Sequence, residues 1–163
     1  GAVVLSATPV RTTGVRAVRL YSDGTRRGLI EVPSRVTVPV PGEEPPPTHV
    51  LLAGREVFRF AVTRMVELIQ EAEADARELG IAGFDALIPH QVNQRVIDAA
   101  LETTGFPAEK VVVNLDRYGN TSAASVPIAL DEALRSGRCK PGDTVLLVAF
   151  GGGLTWSSAI VTL

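Results

Sequence analysis

The spacing of hydrophobic residues changes several times along the chain, and each change marks an element. Val15 to Tyr21, VRAVRLY, mixes β-branched and aromatic residues with two arginines expected to stay exposed, and runs into Ser22-Asp23-Gly24. That pattern predicts a strand closed by a turn. Between Pro33 and Pro47 the prolines stand too close together for a helix or a central strand, so a loop is expected. From Arg55 a three- and four-residue rhythm sets in: Phe58, Ala61, Met65, Ile69, Ala72, Ala76 and Leu79 share one helical face, and Gly80 stops the helix. Ala86-Leu87-Ile88 is a short strand ended by Pro89, because a residue before proline is pushed toward extended geometry. A second helix is expected from about Asn93 to Thr104, with Val96, Ile97, Ala100 and Leu101 inward and Gly105 as its stop.

The alternation continues. Val111-Val112-Val113 reads as a buried strand and DRYGNTS, residues 116–122, as a loop in which Asn120, Thr121 or Ser122 caps the next helix. That helix carries Ile128, Ala129, Ala133 and Leu134, with Pro127 in its first turns. Lys140-Pro141-Gly142-Asp143 is a turn, Val145 to Phe150 a buried strand, and Gly151-Gly152-Gly153 leads into a last strand, Trp156 to Leu163. Strand, helix, strand, helix, strand, strand predicts an α/β fold, a sheet covered by helices. Ligand sites in such sheets gather beyond the carboxyl ends of the strands. PHQVN, DRYGNTS and FGGG each follow an expected strand, so all three are expected to meet at one edge.

Composition narrows the classes. A chain of 163 residues, 45% hydrophobic and 21% charged, fits one globular domain with a core. The net charge of -2 gives no reason to expect nucleic acid as a partner. One cysteine, Cys139, excludes an internal disulfide and favours a reducing, cytoplasmic setting. No apolar run approaches the roughly 18 residues of a membrane span, and no signal segment opens the chain. The opening GAVVLS lacks an initiator Met and starts at once with strand-forming residues, which suggests a piece of something longer.

His90 and Asn120 are the candidate chemical groups. A neutral imidazole and a carboxamide can each offer an N–H to one carbonyl oxygen and stabilise negative charge developing there. The glycines after Phe150 leave backbone N–H groups unobstructed, so one can act as an oxyanion donor. Plainer readings stand beside these: a packed or exposed histidine, a turn or cap residue at Asn120, and a bulge or tight bend at the glycines. A phosphate loop fits less well, since no Lys-Ser/Thr follows the glycines and a strand replaces the helix. Arg138 and Lys140 flank Cys139 and favour its thiolate, but its turn lies at the end opposite the polar loops, so a surface or structural thiol is expected.

IPHQVNQRVIDA, NLDRYGNTSAASVPIALDEA and LLVAFGGGLTWSSAIV, in that order, resemble the carboxyl-terminal half of the 3-oxoacyl-[acyl-carrier-protein] synthase III family, and LLAGREVFRFAV resembles the segment ahead of that family's long helix. The resemblance implies a thiolase-like α/β fold, with residues 55–163 as the condensing-enzyme domain and 1–54 as the end of the first half plus a proline-rich connecting region. It implies decarboxylative condensation of an acyl-CoA starter with a malonyl carrier protein, in fatty-acid or polyketide synthesis. His90 and Asn120 then stabilise the malonyl-derived enolate, Gly152 helps form the oxyanion hole, Asn93 and Phe150 meet pantetheine, and Arg59 and Arg95 face the acidic carrier. The nucleophilic cysteine belongs to the amino-terminal half, which Cys139 does not match, so the chain alone is expected to be inactive. No metal or cofactor is implied. The implied partners are acyl carrier protein, CoA thioesters, the amino-terminal half and a second copy, with no nucleic acid and no membrane.

Departures from the family's pattern are Arg55, where some members carry a pantetheine-contacting asparagine, and Glu102-Thr103, where some carry lysines; both bear on carrier docking. Two other functions fit the same residues: acyl transfer to an alcohol or amine with His90 as general base, and a non-catalytic half that grips pantetheine or carrier.

Overall fold

The computed structural model describes residues 1–32 and 49–163, so the loop expected from Pro33 to Pro47 lies outside the described residues. In chain order the elements are β1 (Gly14–Ser22), β2 (Ile30–Glu31), β3 (Leu51–Leu52), α1 (Gly54–Glu78), β4 (Ala86–Pro89), α2 (Gln94–Thr104), α3 (Leu115–Tyr118), α4 (Ser125–Arg135), β5 (Thr144–Gly151) and β6 (Thr155–Thr162). The main sheet has the order β1-β6-β5-β4. β4 pairs parallel with β5, while β1–β6 and β5–β6 are antiparallel, so the sheet is mixed. Parallel pairing sets the carboxyl ends of β4 and β5 at the same edge, and that places the polar loops.

One face of the sheet is covered by α1 and α2. Phe60, Met65, Leu68 and Ile69 of α1 and Val96 and Ile97 of α2 pack with Leu87, Leu146, Val148, Phe150 and Ile160. α4 covers part of the other face, setting Ala129 and Ala133 against Ala86, Ile88, Val145 and Cys139. Leu79 and Leu134, expected inward, are instead 40% and 41% exposed. Leu79 is the C-cap of α1, beyond the last packed turn, and Leu134 stands one residue around the helix from the inward Ala133.

Val111-Val112-Val113 is not a strand. It makes one parallel bridge, Leu87 with Val111, and the Val112 N–H donates to the Leu87 carbonyl at 2.9 Å. Side chains occupy the rest of its backbone: Arg138 donates to the Val111 carbonyl at 2.6 Å and Gln91 Nε2 to the Val112 carbonyl at 3.2 Å. Buried peptide groups must be paired, and here side chains take the place of a ladder. Nor is DRYGNTS a plain loop. It starts inside α3, passes Gly119 and Asn120, and ends in a 3-10 turn over Ser122–Ala124 that leads directly into α4.

Arg19, expected to be exposed, is tied to α1. Its Nε and NH2 groups donate to Asp75 at 2.7 and 2.5 Å, and the Tyr21 hydroxyl beside it donates to Glu71 at 2.9 Å. The hydrogen bond from Arg19 holds the Asp75 carboxyl below its ordinary range. A carboxyl with a lowered folded pKa adds stability above its unfolded pKa and loses it as pH falls through the folded one. Asp75→Asn is therefore expected to lower the urea midpoint at neutral pH, and the gap to the unaltered protein should close in acid. A gap independent of pH would show that the pair contributes nothing.

Candidate active site

Beyond the carboxyl ends of β4 and β5 lies a cavity of about 1190 Å³, lined in part by His90, Asn93, Asn120, Ser125, Phe150 and Gly152. All three polar loops contribute to it, as expected, although the DRYGNTS loop reaches the edge without a strand ahead of it.

His90 follows Pro89 directly, and its backbone N–H donates to the Val148 carbonyl at 2.7 Å, extending the pairing of β4 with β5 past the proline. Its Nδ1 lies 2.6 Å from the Ser125 hydroxyl, and its ring meets the edge of Phe150 at 5.7 Å between centroids, with the planes at 75°. Burial pushes the imidazole pKa down, which keeps it neutral. The His90 ring is thus expected to titrate below the ordinary value of about 6.5, as its ring C–H shifts followed by NMR would register. The unfolded chain takes up that proton first, so acidification through about 6.5 should cost stability in the unaltered protein but not in His90→Asn.

Asn120 and Asn93 are built alike. Asn120 Oδ1 accepts the Ser122 N–H at 2.9 Å, and Asn93 Oδ1 accepts the Arg95 N–H at 3.0 Å as the N-cap of α2. In both, the local turn occupies the carbonyl and leaves the NH2 group as the donor available to a ligand. The turn and donor readings of Asn120 are therefore two halves of one amide. Ser122 adopts φ +55°, a conformation uncommon outside glycine and often held at functional sites.

The glycine run serves two purposes as well. Gly151 ends β5, and the next three residues turn the chain into β6 while Gly152 lines the cavity. Gly153 sits at φ +143°, and a Cβ there would meet Thr155 Cγ2 at 2.8 Å, so the bend requires glycine.

Arg59 and Arg95 are exposed in the first two turns of α1 and α2 and are not among the cavity-lining residues, although Val57 and Val96 beside them are. Arg55 is likewise exposed, and Glu102 and Thr103 face solvent near the end of α2. Cys139 is 1% exposed and packs against α4, so of the two expected roles it is structural; burial, more than the Asp143 charge, raises its thiol pKa and outweighs Arg138. Among the described residues no three of His, Cys, Asp and Glu are grouped to hold a metal ion, and no helix is long and apolar enough to cross a membrane.

Three supporting residues escaped the sequence reading. Gln91, 0% exposed, donates from Nε2 to the Pro89 and Val112 carbonyls at 2.8 and 3.2 Å and accepts the Asn114 N–H at 3.0 Å. Glu132 on α4 accepts from Asn114 at 2.6 Å, from Arg117 at 2.8 and 2.9 Å and from the Tyr118 hydroxyl at 2.9 Å, and so pins α3, the turn ahead of Asn120. Asn114, Arg117 and Tyr118 are spaced three and four residues apart, a signal that they share a face. Ser125 carried no signal, since nothing in its neighbourhood marks a serine in a helix as facing a distant histidine.

A mixed α/β sheet sets a histidine, two asparagines and a glycine bend around one strand-end cavity, and solved structures that superpose on it share its thiolase-like fold. A family model described as the carboxyl-terminal part of 3-oxoacyl-[acyl-carrier-protein] synthase III matches residues 74–163, and the chain belongs to that family. It is 45% identical over 161 residues to the β-ketoacyl-[acyl-carrier-protein] synthase III of Serratia proteamaculans, an alignment that takes in 99% of this chain and 49% of that protein. The solved synthase III of Thermus thermophilus superposes with a TM-score of 0.81 at 44% identity, covering 93% of this chain and 46% of that one. That of Aquifex aeolicus does so at 0.82 and 36% identity, covering 97% and 47%. The chain spans about half the length of the curated relatives it matches.

Proposed function

We propose that in the whole protein this chain supplies the malonyl-binding half of a β-ketoacyl-[acyl-carrier-protein] synthase III active site. The observation that carries the reading is that His90 and Asn120 line one cavity, each with one polar atom engaged locally and one nitrogen left to donate. The malonyl thioester carbonyl lies between them. As the bond to the carboxylate breaks, CO2 leaves and the electron pair moves onto that carbonyl oxygen, where the two N–H groups stabilise it. The enolate carbon then attacks an acyl group held as a thioester on a cysteine of the amino-terminal half. A carbon–carbon bond forms and the thiolate departs. Gly152 contributes its N–H to the acyl carbonyl oxygen in that second step. Asn93 and Phe150 hold the pantetheine arm, while Arg59 and Arg95 meet the acidic carrier protein. Every group in the scheme is a protein group or part of the thioester substrates, so it calls on no cofactor.

A partner half is supported by the sheet itself. Val15, Val18 and Leu20 on β1 are 54, 52 and 77% exposed, and their pairing puts them on the same face as Ala159 and Leu147, beyond the reach of α4. An apolar sheet face of this kind requires a cover. Its cover is the amino-terminal half, and the intact enzyme works as a homodimer in the cytoplasm.

The test is to supply the whole protein with an acyl-CoA and carboxyl-labelled malonyl carrier protein. Labelled CO2 with a β-ketoacyl product is expected. Acyl transfer to an alcohol or amine without CO2 release would overturn the reading and leave His90 as a general base.

A further inference from the structure

Ser125, the first residue of α4, is 2% exposed, and its hydroxyl lies 2.6 Å from His90 Nδ1. The same oxygen accepts the Gln91 backbone N–H at 3.3 Å. A hydroxyl has one proton to give and two lone pairs with which to accept. Gln91 takes a lone pair, and among the described residues the acceptor left for the Ser125 proton is His90 Nδ1. Were Nδ1 protonated instead, the buried hydroxyl proton would have no partner, a loss that buried polar groups rarely tolerate.

From this we infer that Ser125 is a positioning residue that fixes neutral His90 as the tautomer carrying its proton on Nε2. The ring's acceptor then points into α4, and its donor is the nitrogen left for the cavity that His90 lines. Without this contact the imidazole can present either a lone pair or a proton to a carbonyl oxygen, and the lone pair repels it. The inference deepens the proposed function and rests on it for its catalytic meaning, but the tautomer is a property of the folded chain whatever reaction it serves.

Long-range proton–nitrogen NMR of the ¹⁵N-labelled whole protein tests it, with the His90 ring signals identified by their loss in His90→Asn. Near neutral pH, Nδ1 is expected to show the shift of a bare nitrogen and Nε2 that of a protonated one. A proton on Nδ1 in the unaltered protein overturns the inference, and this measurement needs no variant to fold. In Ser125→Ala the ring is expected to mix both tautomers and to titrate at a higher pH, since a donor to its neutral form is gone. Decarboxylation should slow by about five- to tenfold, the scale of one lost hydrogen bond, with KM for the malonyl carrier little changed. Ser125→Thr, which keeps the hydroxyl, should restore the single tautomer. An unchanged tautomer in Ser125→Ala would show the serine to be merely structural. Should the tautomer be as inferred while no malonyl thioester is decarboxylated, the proposed function fails and this inference stands.

Discussion

In the whole protein, Asn120→Ala is expected to slow decarboxylation of the malonyl thioester by about 10²–10³, the usual loss when one oxyanion donor is removed from a site of this kind. Loading of the acyl group onto the cysteine should stay near its normal rate. The reason for the asymmetry is electrostatic. Charge builds on the malonyl carbonyl oxygen only as CO2 departs, and the Asn120 NH2, with its carbonyl already engaged by Ser122, is aimed without having to reorganise. In the proposed mechanism acyl loading develops charge on a different oxygen, next to Gly152. Measuring labelled CO2 release and acyl-enzyme formation separately on one preparation decides the matter. Equal losses in both half-reactions would remove the role given to Asn120. Asn120→Asp is a stricter version, because it preserves the acceptor for Ser122 and replaces the donor with a charge that repels the enolate.

The second large effect lies beneath the site. Gln91→Leu keeps most of the volume of a side chain that is 0% exposed but strips the Pro89 and Val112 carbonyls and the Asn114 N–H of their partner. Each unpaired buried group costs about 1–3 kcal/mol, so a loss of about 3 kcal/mol or more is expected in urea or thermal unfolding of the whole protein. Decarboxylation should fall too, since the released segment from Val112 to Asn114 carries the chain toward Asn120. A loss under about 1 kcal/mol would mean that the three groups find other partners, and that the amide is not what holds these segments together.

Much of this architecture was legible along the chain. Periodicity marked α1 from Phe58 through Ala76, and Pro89 and Gly105 marked where β4 and α2 stop, because those signals are local: a side chain repeats on one face, or a residue forbids the next turn. His90, Asn93, Asn120 and Gly152 stood out for a similar reason. His90 and Gly152 stand at the ends of apolar runs, while Asn93 and Asn120 stand in the polar loops expected beside them, where a residue has few duties in the core. The failures are equally particular. Val111-Val112-Val113 has the composition of a strand, yet its backbone is paired by Arg138 and Gln91, residues 27 and 21 positions away. Arg19 keeps its side chain 39% exposed, but its partner, Asp75, lies 56 positions further on and left no mark beside it in the chain.

The order of apolar and polar residues, with its prolines and glycines, was enough to determine the long helices and strands, the α/β class and the family, since those rest on short-range sterics and on motifs contiguous in the chain. It also singled out His90, Asn93, Asn120 and Gly152, which the structure brings to one cavity. The partners of the two asparagine carbonyls are local, Ser122 for Asn120 and Arg95 for Asn93, each two residues on, whereas only the tertiary structure decided that Ser125 meets His90. A hydrogen bond to a side chain depends on angstrom-scale placement set by the packing of α4 against β4 and β5. No pattern in one dimension encodes a 2.6 Å contact between residues 35 positions apart.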